Sequence, residues 1–104
     1  MKRFSFFFLL AAALHGMPAG VPADAVKHPS GLWVQRTAAQ EGVWFASGQL
    51  KARGPLKAGQ RQGNWEFFTE KGKLRARGPY EAGKMHGSWE IFASSGYLLA
   101  SGAY

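Results

Sequence analysis

Residues 52–65 read ARGPLKAGQRQGNW and residues 76–89 read ARGPYEAGKMHGSW, identical at eight of fourteen positions. A chain that repeats itself this closely over so short a distance is built from copies of one small unit, each with the same pattern of buried and exposed positions. Setting Gly48, Gly72 and Gly96 in register gives a spacing of 24 residues and a third, shorter copy, GYLLASGAY. Each copy holds two short runs rich in aromatic and branched residues, separated by turn sequences such as TEKG, ASSG, KAGQ and EAGK. Runs of that kind bounded by glycine and small polar residues are β-hairpins. No segment after residue 25 has a 3.6-residue apolar period. The expected fold is all-β: a single antiparallel β-meander of about six strands, made of about three 24-residue hairpin repeats over residues 41–104. Residues 26–40 form a leader segment that adds a strand or packs over one face.

Four-residue loops at 57–60, 69–72 and 81–84 set an expected register. In it Ala76 lies between Trp65 and Trp89, Leu74 between Phe67 and Ile91, and Gly78 between Gly63 and Gly87. Leu50, Ala52 and Gly54 meet Phe67, Trp65 and Gly63. One face then carries Val43, Leu50, Phe67, Leu74, Ile91 and Leu98, beside a row in which Ala52, Ala76 and Ala100 make room for Trp65 and Trp89. Trp65, Gly78, Gly87 and Trp89 are the expected structural repeat residues. The opposite face carries Lys51, Glu66, Arg75 and Glu90 in a row of alternating sign with Arg53 and Arg77 beside it, then Trp44, Phe68, Lys73, Phe92 and Tyr97.

The run YEAGKMHGSWEIF, residues 80–92, followed by glycine at 96, resembles the membrane occupation and recognition nexus (MORN) repeat in its bacterial variant form, the form also found in YwqK-family antitoxins. The cues are the Gly-x-x-x-Gly turn, the aromatic after it and the glycine closing the next hairpin, and they extend over residues 41–104. The resemblance implies hairpin repeats that bind rather than catalyse. It also implies an antitoxin-like capture of another protein, or association with a membrane. Glu41 and Leu56 stand where Trp65 and Tyr80 stand in the next copy, which makes the first copy degenerate or a cap.

The chain opens with Lys2 and Arg3, an apolar run over residues 4–14 and a Gly/Pro-rich stretch ending Ala23-Asp24-Ala25. That order is the signature of a secretory signal peptide over residues 1–25, cleaved near Ala25, so the protein is expected in a bacterial periplasm or secreted. Cleavage removes Lys2, Arg3 and Asp24 and leaves eleven Lys/Arg against five acids, a net charge of +6. Such an excess suits an anionic partner, and export makes nucleic acid the least suitable of these. With no cysteine in the chain, disulfides, thiolate metal sites and a lipidated cysteine are excluded.

Catalytic chemistry finds no constellation. Beyond residue 25 only His28 and His86 are histidines, far apart and without an acidic cluster, so neither a metal site nor a serine–histidine pair is expected, and no cofactor. Glu66 and Glu90 lie two strands apart, roughly 10 Å. Arg75 between them and Lys51 beyond would keep both ionised and remove the proton that a general acid needs. The function expected is therefore non-enzymatic protein–protein interaction. Its candidate surface is Trp44, Arg53, Phe68, Lys73, Arg77, Phe92 and Tyr97, and its partner another protein or a second copy held through the C-terminal strand LLASGAY. The alternative is peripheral binding to an anionic membrane or envelope surface through Arg53, Lys57, Arg61, Arg77 and Lys84 with the aromatics inserting. Glycan stacking on the aromatic row is a third possibility.

Overall fold

A computed structural model describes residues 17–104. The charged start and apolar run of the expected signal peptide fall within residues 1–16 and lie outside the described residues. The strands are β1 Val26–Lys27, β2 Trp33–Arg36, β3 Gln40–Trp44, β4 Leu50–Lys57, β5 Gln60–Arg61, β6 Gly63–Phe68, β7 Leu74–Glu81, β8 Lys84–Met85, β9 Ser88–Phe92 and β10 Leu98–Ala103. They form one open antiparallel meander in the order β1-β2-β3-β4-β6-β7-β9-β10, with β5 on β4 and β8 on β7 closing two hairpin tips. The described residues contain no helix. The leader contributes β1 and β2, so the sheet is longer than the six strands expected from the repeats.

Two kinds of turn alternate. Ala58-Gly59 and Ala82-Gly83 have positive φ at both positions (52° and 80°, 50° and 84°), the two-residue hairpin turn whose twist matches that of the strands. At the other end of the sheet, Thr69 N donates to Lys73 O at 2.8 Å and Gly72 N to Thr69 O at 2.9 Å. The same pair of bonds recurs at Phe45–Gln49 and Ala93–Tyr97. In each of these loops a glycine takes the left-handed position: Gly48, Gly72 and Gly96.

The strand register differs from the expected one by two residues. Ala76 lies between Phe67 and Ile91, and Trp65 lies opposite Gly78; Ala52, not Leu50, meets Phe67. Two local features cause the slip. Lys51, Arg75 and Leu99 are extra residues in β-bulges, where Trp44, Phe68 and Phe92 pair with Leu50, Leu74 and Leu98. Gln62-Gly63 and His86-Gly87 are taken up in kinks after the hairpin tips, with Gln62 N on Pro55 O and His86 N on Pro79 O. Gly63 and Gly87 enter these kinks with φ of 95° and 73°, so Gly87 is a kink residue and does not face Gly78. Because side chains alternate with period two, a two-residue slip keeps the faces of the paired rows and changes their neighbours.

The neighbours it creates make the core. Val43, Ala52, Phe67, Ala76, Ile91 and Ala100 form one cross-strand row. In the next, Trp65 and Trp89 alternate with glycines in place of the expected alanines. A Cβ on Gly54 would come within 2.3 Å of the Trp65 ring, and one on Gly78 within 2.3 Å of the Trp89 ring, so each indole lies on bare backbone of the preceding strand. Trp65 Nε1 donates to Pro55 O at 3.0 Å and Trp89 Nε1 to Pro79 O at 2.9 Å. Both rings are almost wholly covered, at 0% and 2% exposure. Leu50 and Leu74 are only half-buried and Leu98 is exposed, since the bulges remove them from the core row.

The described end of the expected signal peptide, residues 17–25, packs as well. Val21 and Ala25 are buried, and Gln35 Nε2 donates to Asp24 Oδ1 at 2.8 Å. Cleavage after Ala25 would remove these contacts. A chain starting at Val26 is therefore expected to be less stable than one starting at Met17, by about 1.5–3 kcal/mol for the Val21 side chain, in urea denaturation followed by tryptophan fluorescence.

The glycine floor makes a sharper prediction. Trp89→Ala is expected to cost about 3–5 kcal/mol. Gly78→Ala, which removes no contact, is expected to cost about 1–3 kcal/mol because its Cβ meets the ring. A Gly78→Ala protein as stable as the parent would contradict the stacking of Trp89 on Gly78.

Candidate functional site

The face opposite the indoles carries the charged row, and its register is Gly42, Arg53, Glu66, Arg77, Glu90, Ser101. Arg53 and Arg77 thus stand in the row where Lys51 and Arg75 were expected, those two being bulge residues. Arg53 Nε bonds Glu66 Oε1 at 2.9 Å, and Arg77 Nε bonds Glu90 Oε1 at 2.7 Å. Each guanidinium also covers an aromatic ring, Arg53 over Phe68 at 5.5 Å and Arg77 over Phe92 at 5.4 Å. The result is an Arg–Glu–Phe unit that occurs twice at a spacing of 24 residues. Alternation brings this about: Phe68 and Phe92 stand two residues after Glu66 and Glu90 on the same face, diagonal to the arginines paired with those glutamates.

Trp44 shares this face, its ring lying over Gly42, where a Cβ would approach the indole to 2.5 Å. Five of the seven expected surface residues, Trp44, Arg53, Phe68, Arg77 and Phe92, are therefore gathered on one face. Lys73 and Tyr97 are not part of the strand rows. They close equivalent hairpin turns at one end of the sheet, and Tyr97 is 77% exposed. Lys51, a bulge residue, lies over Phe45 at 5.4 Å beside Phe67 and Ala76. Phe45 lies in the turn after β3, where no strand period marks it.

Arg61 was expected among the surface cations, and it belongs to the core face. Its guanidinium lies 4.2 Å over Trp65 and 5.3 Å over Tyr80, bonds the Tyr80 hydroxyl at 3.2 Å and reaches Glu41 Oε1 at 3.3 Å. Glu41 also holds Arg36 at 2.8 Å and is itself 11% exposed. One repeat later, Met85 occupies the place of Arg61 against the core cluster.

Chemically, the face offers hydrogen-bond donors framed by rings. A guanidinium has five N–H groups, and the ion pairs to Glu66 and Glu90 use Nε alone. The remaining donors of Arg53 and Arg77 are open to carbonyl or carboxylate oxygens of a partner. Glu66 and Glu90 are each tied to an arginine. His86 sits in the kink after β8, and His28 Nδ1 is bonded to Ser30 Oγ at 2.9 Å in an exposed turn. Among the described residues no group of three His, Cys, Asp or Glu side chains could hold a metal ion.

Compared with known proteins, the chain matches no protein-family model and no curated protein sequence.

The two arginine classes separate in a stability measurement. Arg61→Ala uncovers Trp65 and is expected to cost about 1–2 kcal/mol. Arg53→Ala breaks an exposed pair and is expected to cost less than about 1 kcal/mol. Equal losses in urea denaturation would place both on the surface.

Proposed function

We propose that this chain is an exported, non-catalytic repeat protein that binds another protein. The observation that carries the reading is β10. All six of its residues are exposed, and among the described residues it pairs with β9 alone. Tyr97, Leu98, Leu99 and Tyr104 leave 77%, 51%, 66% and 67% of their surface in water. Sheet edges are ordinarily blunted by charge, proline or cover, and β10 has no charged residue and no proline. An apolar, unblunted edge is the surface to which a partner adds a strand. The outer face continues it with Phe92 and the open donors of Arg77.

The MORN-like run of residues 80–92 supports binding over catalysis, and an antitoxin-like role would be one form of protein capture. Export rests on the composition of residues 1–25. The anionic-surface alternative needed five cations. Arg53 and Arg77 are ion-paired and Arg61 is turned to the core, which leaves Lys57 and Lys84 at two hairpin tips. That distribution favours a protein partner over a lipid surface.

Capture from an envelope extract on the immobilised protein, read by mass spectrometry and lipid analysis, is expected to return a protein partner. Leu99→Lys, which puts a charge on the edge, is expected to lower its yield at least about tenfold. Recovery of lipid or glycan without protein, or an unchanged yield with Leu99→Lys, would overturn the reading.

A further inference from the structure

The edge is more specific than an apolar strand. Within the sheet each indole site has three parts, all supplied by the strand before the tryptophan or by the tyrosine beside it. The floor is a glycine, Gly54 or Gly78, on which the ring lies. The acceptor is the carbonyl of the next residue, Pro55 or Pro79, which takes the indole N–H at 3.0 or 2.9 Å. The wall is a tyrosine edge: Tyr80 meets Trp65 at 5.7 Å and 65° on one side and Trp89 at 5.4 Å and 81° on the other.

β10 repeats all three parts. It pairs with β9 as β7 pairs with β6, Trp89 facing Gly102 as Trp65 faces Gly78. A Cβ on Gly102 would find nothing within 4 Å. Tyr104 exchanges both backbone bonds with Gly87, at 2.8 and 3.1 Å, so the antiparallel alternation turns the Ala103 carbonyl to the open edge. The Tyr104 ring meets Trp89 edge-on at 6.4 Å and 88°, and its other side is exposed. A groove of about 340 Å³ runs over Trp89, Gly102, Ala103 and Tyr104.

We propose that Gly102, Ala103 and Tyr104 form a receptor for a tryptophan presented on an antiparallel β-strand of a partner protein. The inference deepens the binding function proposed above and rests on it. The internal pairs set the ligand class. Ala52 and Ala76 face Phe67 and Ile91, so the residue two after the tryptophan, which would face Ala100, is a large apolar one. Arg53 and Arg77 select Glu66 and Glu90, whereas Ser101 stands at their position in β10 and selects no acid. The ligand is a Trp-x-Ile or Trp-x-Phe strand with no requirement for charge between. A second copy does not supply it: the tryptophans with that spacing, Trp65 and Trp89, are buried in their own sheet, and β1 at the opposite edge is Val26-Lys27.

The probe is a fluorescein-labelled peptide with the sequence of residues 86–92, HGSWEIF, titrated into the purified protein and read by anisotropy. Saturable binding is expected, weakened at least about tenfold when the peptide tryptophan is replaced by alanine. Gly102→Val places a side chain where the ring would lie and is expected to weaken binding by a similar factor of about ten or more. The variant keeps the parent's urea midpoint, because the added atoms enter open space. Absence of saturation up to about 1 mM would overturn the proposal, as would equal affinity for Gly102→Val or for the tryptophan-free peptide. Light scattering showing a dimer that Gly102→Val dissolves would overturn the choice of a partner protein as occupant. Retained capture of a partner by Gly102→Val protein would sink the indole site alone and leave the general binding function standing.

Discussion

The sheet depends on an indole lying flat on a glycine of the preceding strand with its N–H tied to the following carbonyl. An antiparallel sheet with no helix beside it has no second layer to bury a large apolar side chain. Trp65 and Trp89 overcome this by using the sheet itself as the opposing surface, which is possible only where the neighbouring backbone has no Cβ. Burying an indole also buries a donor, and an unpaired one would cost much of the gain. Pro55 and Pro79 resolve this locally: each carbonyl accepts two donors, the indole N–H and the backbone N–H of Gln62 or His86. The Gly-Pro dipeptide and the tryptophan eleven residues later are thus one unit, although no sequence neighbour links them.

That unit explains what was legible in the sequence. Alternation of polar and apolar residues, glycine turns and the 24-residue period point to hairpins and assign each side chain to a face, because those signals depend only on period two and on φ. Pairing depends on where extra residues are absorbed. Lys51, Arg75 and Leu99 are a lysine, an arginine and a leucine, and nothing in their chemistry marks them as bulge residues. Gly63 and Gly87 were legible as residues needing positive φ, yet a kink and a turn make the same demand. The alanines therefore looked like the space for the rings when the glycines were.

The candidate surface was legible by the same logic and to the same depth. Composition and alternation put arginines and aromatics on one face. Register decides which arginine meets which carboxylate, and with it how much charge the face keeps. The pairing of Arg53 with Glu66 and Arg77 with Glu90 turns a cationic strip into a nearly neutral one whose remaining donors are directional. A surface of that kind discriminates geometry more than it concentrates charge. Arg61 was misread for a simpler reason: an arginine near a turn is usually solvated, and only the fold shows it stacked on Trp65.

The two ends of the described sheet are chemically different, and the difference has a direction. At the N-terminal side the position equivalent to the tryptophans is Glu41, and its partner in the preceding strand is Arg36 rather than a glycine. An ion pair there, completed by Arg61, takes the place of ring on backbone, so the pattern closes without asking for another strand. At the C-terminal side the floor, the acceptor and the wall are all present and the ring is not. Each repeat supplies the receptor for the tryptophan that follows it, and among the described residues the one on β10 carries no ring. Under the proposed function recognition falls on β10, and the residue recognised is of the kind that holds the rest of the sheet together.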